Sequence, residues 1–499
     1  MSVNSQRLQS LMFLIRSCRS PLTGFLLLAL LVWPLSAQTP KRRVGYLTYQ
    51  DAQPVIAALD EILPPDLKAK SSDELASFWP GWIARRDAEI RNRLAQGDED
   101  SLVNFLLFGT SYTKQPRVTP QQVAHLEQAG KMAPASTSPE APQLSRVLQA
   151  RIDDLVRALA APGKNERLLF ARRFLVERKN YRLNNQASRA QLKADLVAAL
   201  ARVLDEGGSY AKTLEAARLL GNPSEELAAR STLYRTRGLS SDTSLLPNFA
   251  IEQSLEALKT RNLLAAGSTR RVAIIGPGLD FTDKQEGYDF YPQQTIQPFA
   301  VIDPLLRLGL ARPDTLQVTT FDLSPRVNDH ITRARQRAQR RQSYTVQLLR
   351  SPQAQWKPEA VQYWERFGEQ IGKPAPPLAV STNAGELKLR AVRIRPDIVS
   401  RIAPVDTNIV LQHLDLPPAE RFDLIVATNI FVYYDIFEQS LALLNVARML
   451  RPGGLLLSNN ALLELPFSRM RSVGYLTTAY SDRPDDGDHI VWYQRLPDQ

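Results

Sequence analysis

The chain is nearly without cysteine. Its single thiol, Cys18, lies in an amino-terminal segment that reads as a removable leader. The remainder can form no disulfide, no cysteine metal site and no thiol nucleophile. Histidine is scarce too: His125, His330, His413 and His489 are scattered, with no His-x-x-x-His spacing, which argues against a zinc centre. No sequence repeat of fixed period occurs. Negative charge falls short of positive, 51 Asp and Glu against 62 Lys and Arg, for a net charge of +11. Spread over 499 residues, that excess is modest. The densest basic run, RARQRAQRR at 333–341, reads either as a phosphate contact or as the solvated face of a helix. The second reading is preferred, and no specific nucleic-acid binding is expected.

Long hydrophobic runs are also missing. The most apolar stretch, Gly24 to Trp33, is short of the roughly 20 residues that a membrane span needs. It follows Arg7, Arg16 and Arg19, the only charged residues of 1–37, and precedes the small residues Ser36-Ala37. This is the order of a secretory signal peptide. Leu35 is large for such a site, so an uncleaved anchor stays open. The expected location is the periplasm or cell envelope if the segment is cleaved and the inner membrane if it is not. Contact with a membrane is expected only through this segment. Without its three arginines the net charge falls from +11 to +8.

What is present is a globular composition, 44% hydrophobic and 23% charged, enough for two or three cores. Residues 38–131 read as a helical amino-terminal region, and 132–143 (MAPASTSPEAPQ) as a linker. Residues 144–267 read as a helical domain. There Leu144, Val147, Leu148, Ile152, Leu155, Val156 and Leu159 fall on one helical face. No catalytic constellation stands out before residue 268.

The chemistry lies in 268–499. Val272 to Ile275 is a short apolar strand ending at Gly276-Pro277-Gly278, a turn where the backbone can approach a ligand. It also reads as an ordinary tight turn. Asp280 follows, and a carboxylate there suits a cationic ligand better than a pyrophosphate. Gln317 to Phe321 is a second strand ending in Asp322, placed either to accept from two ribose hydroxyls or to cap the helix starting near Ser324. After a long insertion, 327–406, Ile409 to Leu411 starts a third strand ended by Asp415-Leu416. Leu424 to Ala427 is a fourth, buried strand ending at Thr428-Asn429, followed by a helix with Arg448 and Arg451 in its last turn. Pro452-Gly453-Gly454 stops that helix, and Leu455 to Leu457 starts a fifth strand. Val473 to Tyr480 and Ile490 to Tyr493 form a closing hairpin.

The string Thr428-Asn429-Ile430-Phe431-Val432-Tyr433-Tyr434-Asp435, in this order of strands, resembles class I S-adenosylmethionine-dependent methyltransferases. Within them it looks most like the chemotaxis-receptor methyltransferase (CheR-type) branch, where Arg-Asn, an apolar triplet and Tyr-Phe-Asp stand at this place. The resemblance covers the carboxyl-terminal half only. It implies an α/β Rossmann-like domain, a mostly parallel sheet with an antiparallel last strand, behind a mainly α-helical domain. It implies S-adenosylmethionine as cofactor, with Gly276, Gly278, Asp322, Asp415, Leu416 and Asn429 binding it. Asp415 would accept from the adenine amino group. Tyr433, beside the methyl group, and Asn429 are the candidate catalytic residues, although Tyr433 also reads as packing on the helix below. The branch's Gly-Glu-Glu-Pro-Tyr is replaced by Gly278-Leu279-Asp280-Phe281, and its arginine by Thr428. The methyl acceptor is open, a carboxylate and a protein side chain being the candidates. Two functions stand side by side: a methyltransferase with a helical recognition half, and an envelope scaffold on a methyltransferase fold that has lost catalysis.

Overall fold

The computed structural model describes residues 43–118, 122, 141–219, 238–281, 288–379, 386–483 and 486–497. The apolar segment 24–33 and most of 132–143 lie outside them. The chain opens with β1 (Val44–Tyr46), α1 (Tyr49–Ala58) and one long helix, α2 (Ser72–Phe108). Then come α3 (Ala141–Ala160), α4 (Glu166–Arg173), α5 (Gln186–Leu219) and α6 (Leu246–Thr260). The α/β part follows: β2 (Arg271–Ile275), α7 (Gln297–Arg307), β3 (Gln317–Asp322), α8 (Pro325–Gln339), β4 (Tyr344–Arg350), α9 (Pro358–Arg366), β5 (Gly372–Ala375) and β6 (Lys388–Ile394). It ends with α10 (Pro396–Val399), β7 (Ile402–Asp406), β8 (Gln412–Leu414), β9 (Phe422–Ala427), α11 (Ile436–Met449), β10 (Leu450–Ser458), β11 (Met470–Ala479) and β12 (Gly487–Arg495).

Seven strands form one sheet in the order β11-β12-β10-β9-β2-β3-β7. β12 pairs antiparallel with both neighbours, while β10-β9, β9-β2, β2-β3 and β3-β7 are parallel. This is the α/β Rossmann-like sheet with one reversed strand that the resemblance implies. Because side chains alternate across a strand, Val272 and Ile274 enter the core under α6 and α7. Ala273 and Ile275 enter the core under α11, α1 and α2. β9 is buried at every position, as a central strand covered on both faces must be.

α11 starts in a capping box: Asp435 Oδ1 accepts from Glu438 N at 2.9 Å and Glu438 Oε2 from Asp435 N at 3.2 Å. It ends earlier than the glycines suggest, since Leu450 is already extended. Arg451 is therefore not in its last turn. It pairs with Asp423 instead, whose other oxygen accepts from the amides of Arg270 and Arg271 at 2.7 and 2.9 Å.

One expectation is corrected. The third parallel strand is β7, not the run that begins at Ile409. β7 reads Ile-Ala-Pro-Val-Asp, and its proline masks it in the sequence. A proline is tolerated there because β7 is a sheet edge. Gln412 to Leu414 pairs instead with β1, in a separate two-stranded sheet. Residues Val44–Gln499 form one compact unit. Helix α6 packs under the main sheet. In α2 Trp79 and Trp82 stack at 4.9 Å, and Trp82 meets Phe437 of α11 at 6.1 Å.

The insertion after β3 builds α8, α9 and a three-stranded antiparallel sheet in the order β4-β6-β5. On α8 Ile331, Ala334 and Ala338 are buried, and most arginines of the basic run face solvent.

Candidate active site

β2 is flanked by β3 on one side and β9 on the other, so the crossovers leave it in opposite directions. A ligand crevice is expected outside the carboxyl ends of strands at such a switch point. A cleft of about 550 Å³ lies there. Gly276, Gly278, Asp322, Asn429 and Tyr433 all line it. Asp415 and Leu416 do not. Asp415 follows β8, outside the main sheet, where its side chain is 55% exposed beside His413 at 3.3 Å. At the end of the true third strand, Thr407 lines the cleft instead.

The glycines are required by the protein's own packing. Both have left-handed backbones, φ +65 at Gly276 and φ +63 at Gly278. A Cβ on Gly276 would stand 2.1 Å from Ile430 Cδ1, and one on Gly278 would stand 2.9 Å from the Ser241 main-chain oxygen. Ile430 can rotate away; the Ser241 backbone cannot. Gly278→Ala is therefore expected to cost more stability than Gly276→Ala, about 3 against 1–2 kcal/mol, and Ile430→Ala should rescue only the second. Urea unfolding of the four variants checks this order.

Asp322 does not cap α8, whose N-cap is Ser324, but it braces the turn before it. Its Oδ1 accepts from the Ser324 amide at 2.8 Å, an aspartate turn before α8, and the carboxylate also accepts from the Gly278 amide. It still reaches the cleft wall. Burial pushes its pKa up to about 6, against the lowering effect of those two amides and Arg326. Asp280, in contrast, turns inward. It is buried, accepting from Tyr291 Oη at 2.9 and 2.8 Å and from Gln294 Nε2 at 3.0 Å, so it is not a ligand-facing charge.

Asn429 has φ +58, which asparagine tolerates better than most residues. A reciprocal bond holds it: its amide donates to Asn459 Oδ1 at 2.7 Å, and Asn459 Nδ2 donates to Asn429 Oδ1 at 2.6 Å. Asn459 Nδ2 also reaches Asp488 Oδ1 at 3.2 Å, which ties the ends of β9 and β10 to the start of β12. Tyr433 sits in a single 3-10 turn, Phe431–Tyr433. Its main-chain oxygen accepts from Arg93 Nη2 of α2 at 3.0 Å.

Other wall residues escaped the sequence reading. The strap at 239–245 runs beside the glycine turn through main-chain bonds, Leu279 N to Ser241 O at 2.8 Å and Thr243 N to Leu279 O at 3.0 Å. The helical part thus supplies one wall. Gln297 donates to Thr428 Oγ1 at 2.8 Å while its Oε1 is buried without a partner, as is Asn248 Oδ1. Both residues line the cleft. These orphaned acceptors and the Asp322 carboxylate suit a ligand that carries N–H and O–H donors.

No protein-family model matches the sequence, and no curated protein matches it. Solved structures do. The N-methyltransferase NodS from Bradyrhizobium japonicum WM9 is 15% identical, covers 50% of this chain and 95% of its own, and has a TM-score of 0.25. The glycopeptide N-methyltransferase MtfA, complexed with S-adenosyl-L-methionine, is 12% identical over 51% of this chain and 96% of its own, with a TM-score of 0.26. Magnesium protoporphyrin IX methyltransferase ChlM from Synechocystis PCC 6803, with bound S-adenosylmethionine, is 11% identical over 55% and 84%, with a TM-score of 0.24. All three are methyltransferases. At such identities no residue role passes from them to this chain.

Proposed function

We propose that the cleft binds S-adenosylmethionine and that the protein transfers its methyl group to an acceptor. One observation carries this reading. The glycine turn after β2, Asp322 after β3 and Asn429 after β9 converge on a single cleft at the switch point of the sheet. The donor supplies an electrophilic methyl carbon on a sulfonium. The protein's work is then to orient two reactants and exclude water. Asp322 would accept from the ribose hydroxyls, the glycine turn would admit the donor's backbone-like end, and Thr407 would border the base. Asn429, locked by Asn459, and Tyr433, held by Arg93, would stand by the methyl group.

The finer likeness, to the CheR-type branch, is supported by the insertion between β3 and β7. It holds α8, β4 starting at Tyr344, α9, β5, β6 and α10 before β7, an order that contains the helix, Tyr-rich turn, helix and strand of that branch. Thr428 in the arginine position weighs against a shared acceptor. Among the described residues no helix is long and apolar enough to cross a membrane. The leader would direct the enzyme to the envelope, where the donor, made in the cytoplasm, must reach it.

Calorimetric titration of the whole protein with S-adenosylmethionine and S-adenosylhomocysteine tests the reading. Saturable micromolar binding is the expected result. Absence of heat from a folded sample would remove the enzyme and leave the scaffold function.

A further inference from the structure

The chain is basic, yet this cleft is not. Four aspartates line it, Asp242, Asp322, Asp486 and Asp488, and among the described residues no lysine or arginine does. The one histidine of the wall, His489, has its pKa lowered by burial, so it adds no positive charge at neutral pH. The aspartates fall into two groups. Asp322 and Asp242 stand by the glycine turn. Asp486 and Asp488 stand at the start of β12, beyond β2, β9 and β10 in the sheet. Four strand steps of about 4.8 Å put the groups roughly 19 Å apart. The first belongs to the donor side. The second lies across the ends of β9 and β10, the side of the cleft that the donor would leave to an acceptor.

On that far side the geometry is built. Asp488 Oδ2 accepts from Tyr480 Oη at 2.5 Å and Oδ1 from Asn459 Nδ2 at 3.2 Å. The same Asn459 holds Asn429. Next to it Asn460 lines the cleft with a buried Oδ1 that has no donor. The two other orphaned side-chain amide oxygens of the wall, Asn248 Oδ1 and Gln297 Oε1, belong to residues only 1% and 3% exposed. Every one of these groups accepts hydrogen bonds. A carboxylate acceptor would find like charge and, among the described residues that line the cleft, no lysine or arginine to neutralise it. A cationic amine finds two carboxylates and lone oxygens.

On the reading that the cleft binds a sulfonium donor, we infer that the methyl acceptor is an amine, held at its charged end by Asp486 and Asp488, and not a carboxylate. The ammonium first loses one proton to water at the open mouth. The nitrogen lone pair then forms the N–C bond to the methyl carbon while the C–S bond breaks and its electron pair returns to sulfur. The product ammonium keeps one positive charge and the donor leaves as a neutral thioether.

The test uses the whole protein saturated with S-adenosylhomocysteine. It is titrated with spermidine, with n-butylamine and with glutarate, and the titration is repeated on Asp486→Asn/Asp488→Asn. The expected result is saturable binding of at least one amine, no binding of glutarate, and an amine affinity at least tenfold weaker in the variant. Both proteins are kept saturated with S-adenosylhomocysteine, whose affinity for each is measured separately, and a cooperative thermal transition shows that the variant is folded. Glutarate binding in place of the amines, binding of neither, or an amine affinity unchanged in the variant would overturn the inference while leaving the donor site intact. Failure of S-adenosylhomocysteine to bind the wild type would overturn the methyltransferase reading and this inference with it.

Discussion

Asp322→Ala is expected to weaken S-adenosylhomocysteine binding at least a hundredfold in calorimetry while the protein stays folded. Two hydrogen bonds from hydroxyls to a carboxylate contribute about 1.5–3 kcal/mol each, and a loss of about 3 kcal/mol is already more than a hundredfold. The fold should survive because the losses and gains are opposed. The amides of Ser324 and Gly278 lose an acceptor, but a carboxylate that is only 8% exposed no longer has to be held in its charged form. Asp322→Asn, which keeps an acceptor oxygen, should fall between the two. The same residue sets a pH signature. Its folded pKa of about 6 lies above the roughly 3.9 of an unfolded aspartate. Between those values the folded state binds the extra proton, so this group's contribution to stability falls as pH rises through the window. Donor binding runs the other way, since only the carboxylate accepts from both hydroxyls. Affinity should drop about tenfold per pH unit below 6 in the wild type and be flat there in Asp322→Ala.

Arg167→Met should be the most destabilising single change considered, by about 3–5 kcal/mol, with donor binding lost in the fraction that remains folded. Arg167 lies on α4 and is 2% exposed. Its guanidinium donates to the main-chain oxygens of Asp280 at 3.2 Å, Asp289 at 3.0 Å, Phe281 and Tyr291. Methionine fills much of the space but leaves those carbonyls without their donor, which is the expensive half of a broken hydrogen bond. The segment so held runs straight on from the glycine turn. Asp289 anchors it again by accepting from the amide and hydroxyl of Thr110 at 2.6 and 2.8 Å. Loss of Arg167 therefore unpins the turn as well as the helices. Guanidinium unfolding followed by fluorescence, with calorimetry at the same temperature, measures both effects. A drop in stability under 1 kcal/mol would show that these carbonyls find other donors.

The elements legible in the sequence were those whose signal is local. β2 and β9 are apolar runs with polar ends, and β3 is rich in β-branched residues before its aspartate, patterns short enough to read as covered strands. Gly276, Gly278 and Asp322 could be placed because they sit at the ends of those strands, where the topology gathers ligands. Asn459 carried the same signal at the end of β10 and could have been read the same way. β7 could not, since Pro404 breaks its pattern and only its edge position makes the proline harmless. The exchange of Asp415 for Thr407 at the cleft follows from that one missed strand. The strap at 239–245 touches the glycine turn through main-chain atoms, which leave no mark in side-chain order. Asp280 looked like a ligand residue because nothing local announces that Tyr291 and Gln294 turn it inward.

The packing of α2 against residues from the far end of the chain bears on how the protein comes into being. Asp87 on α2 receives the Asn408 side chain at 2.8 Å, and the two residues are 321 positions apart. At about 5–20 residues per second, a ribosome needs roughly 15–65 s to make the second after the first. Through that interval Trp82 has been synthesised but Phe437, which packs against it, has not. The amino-terminal helices must wait for the partners that complete their core, so the native packing of α2 can form only after nearly the whole chain has been made.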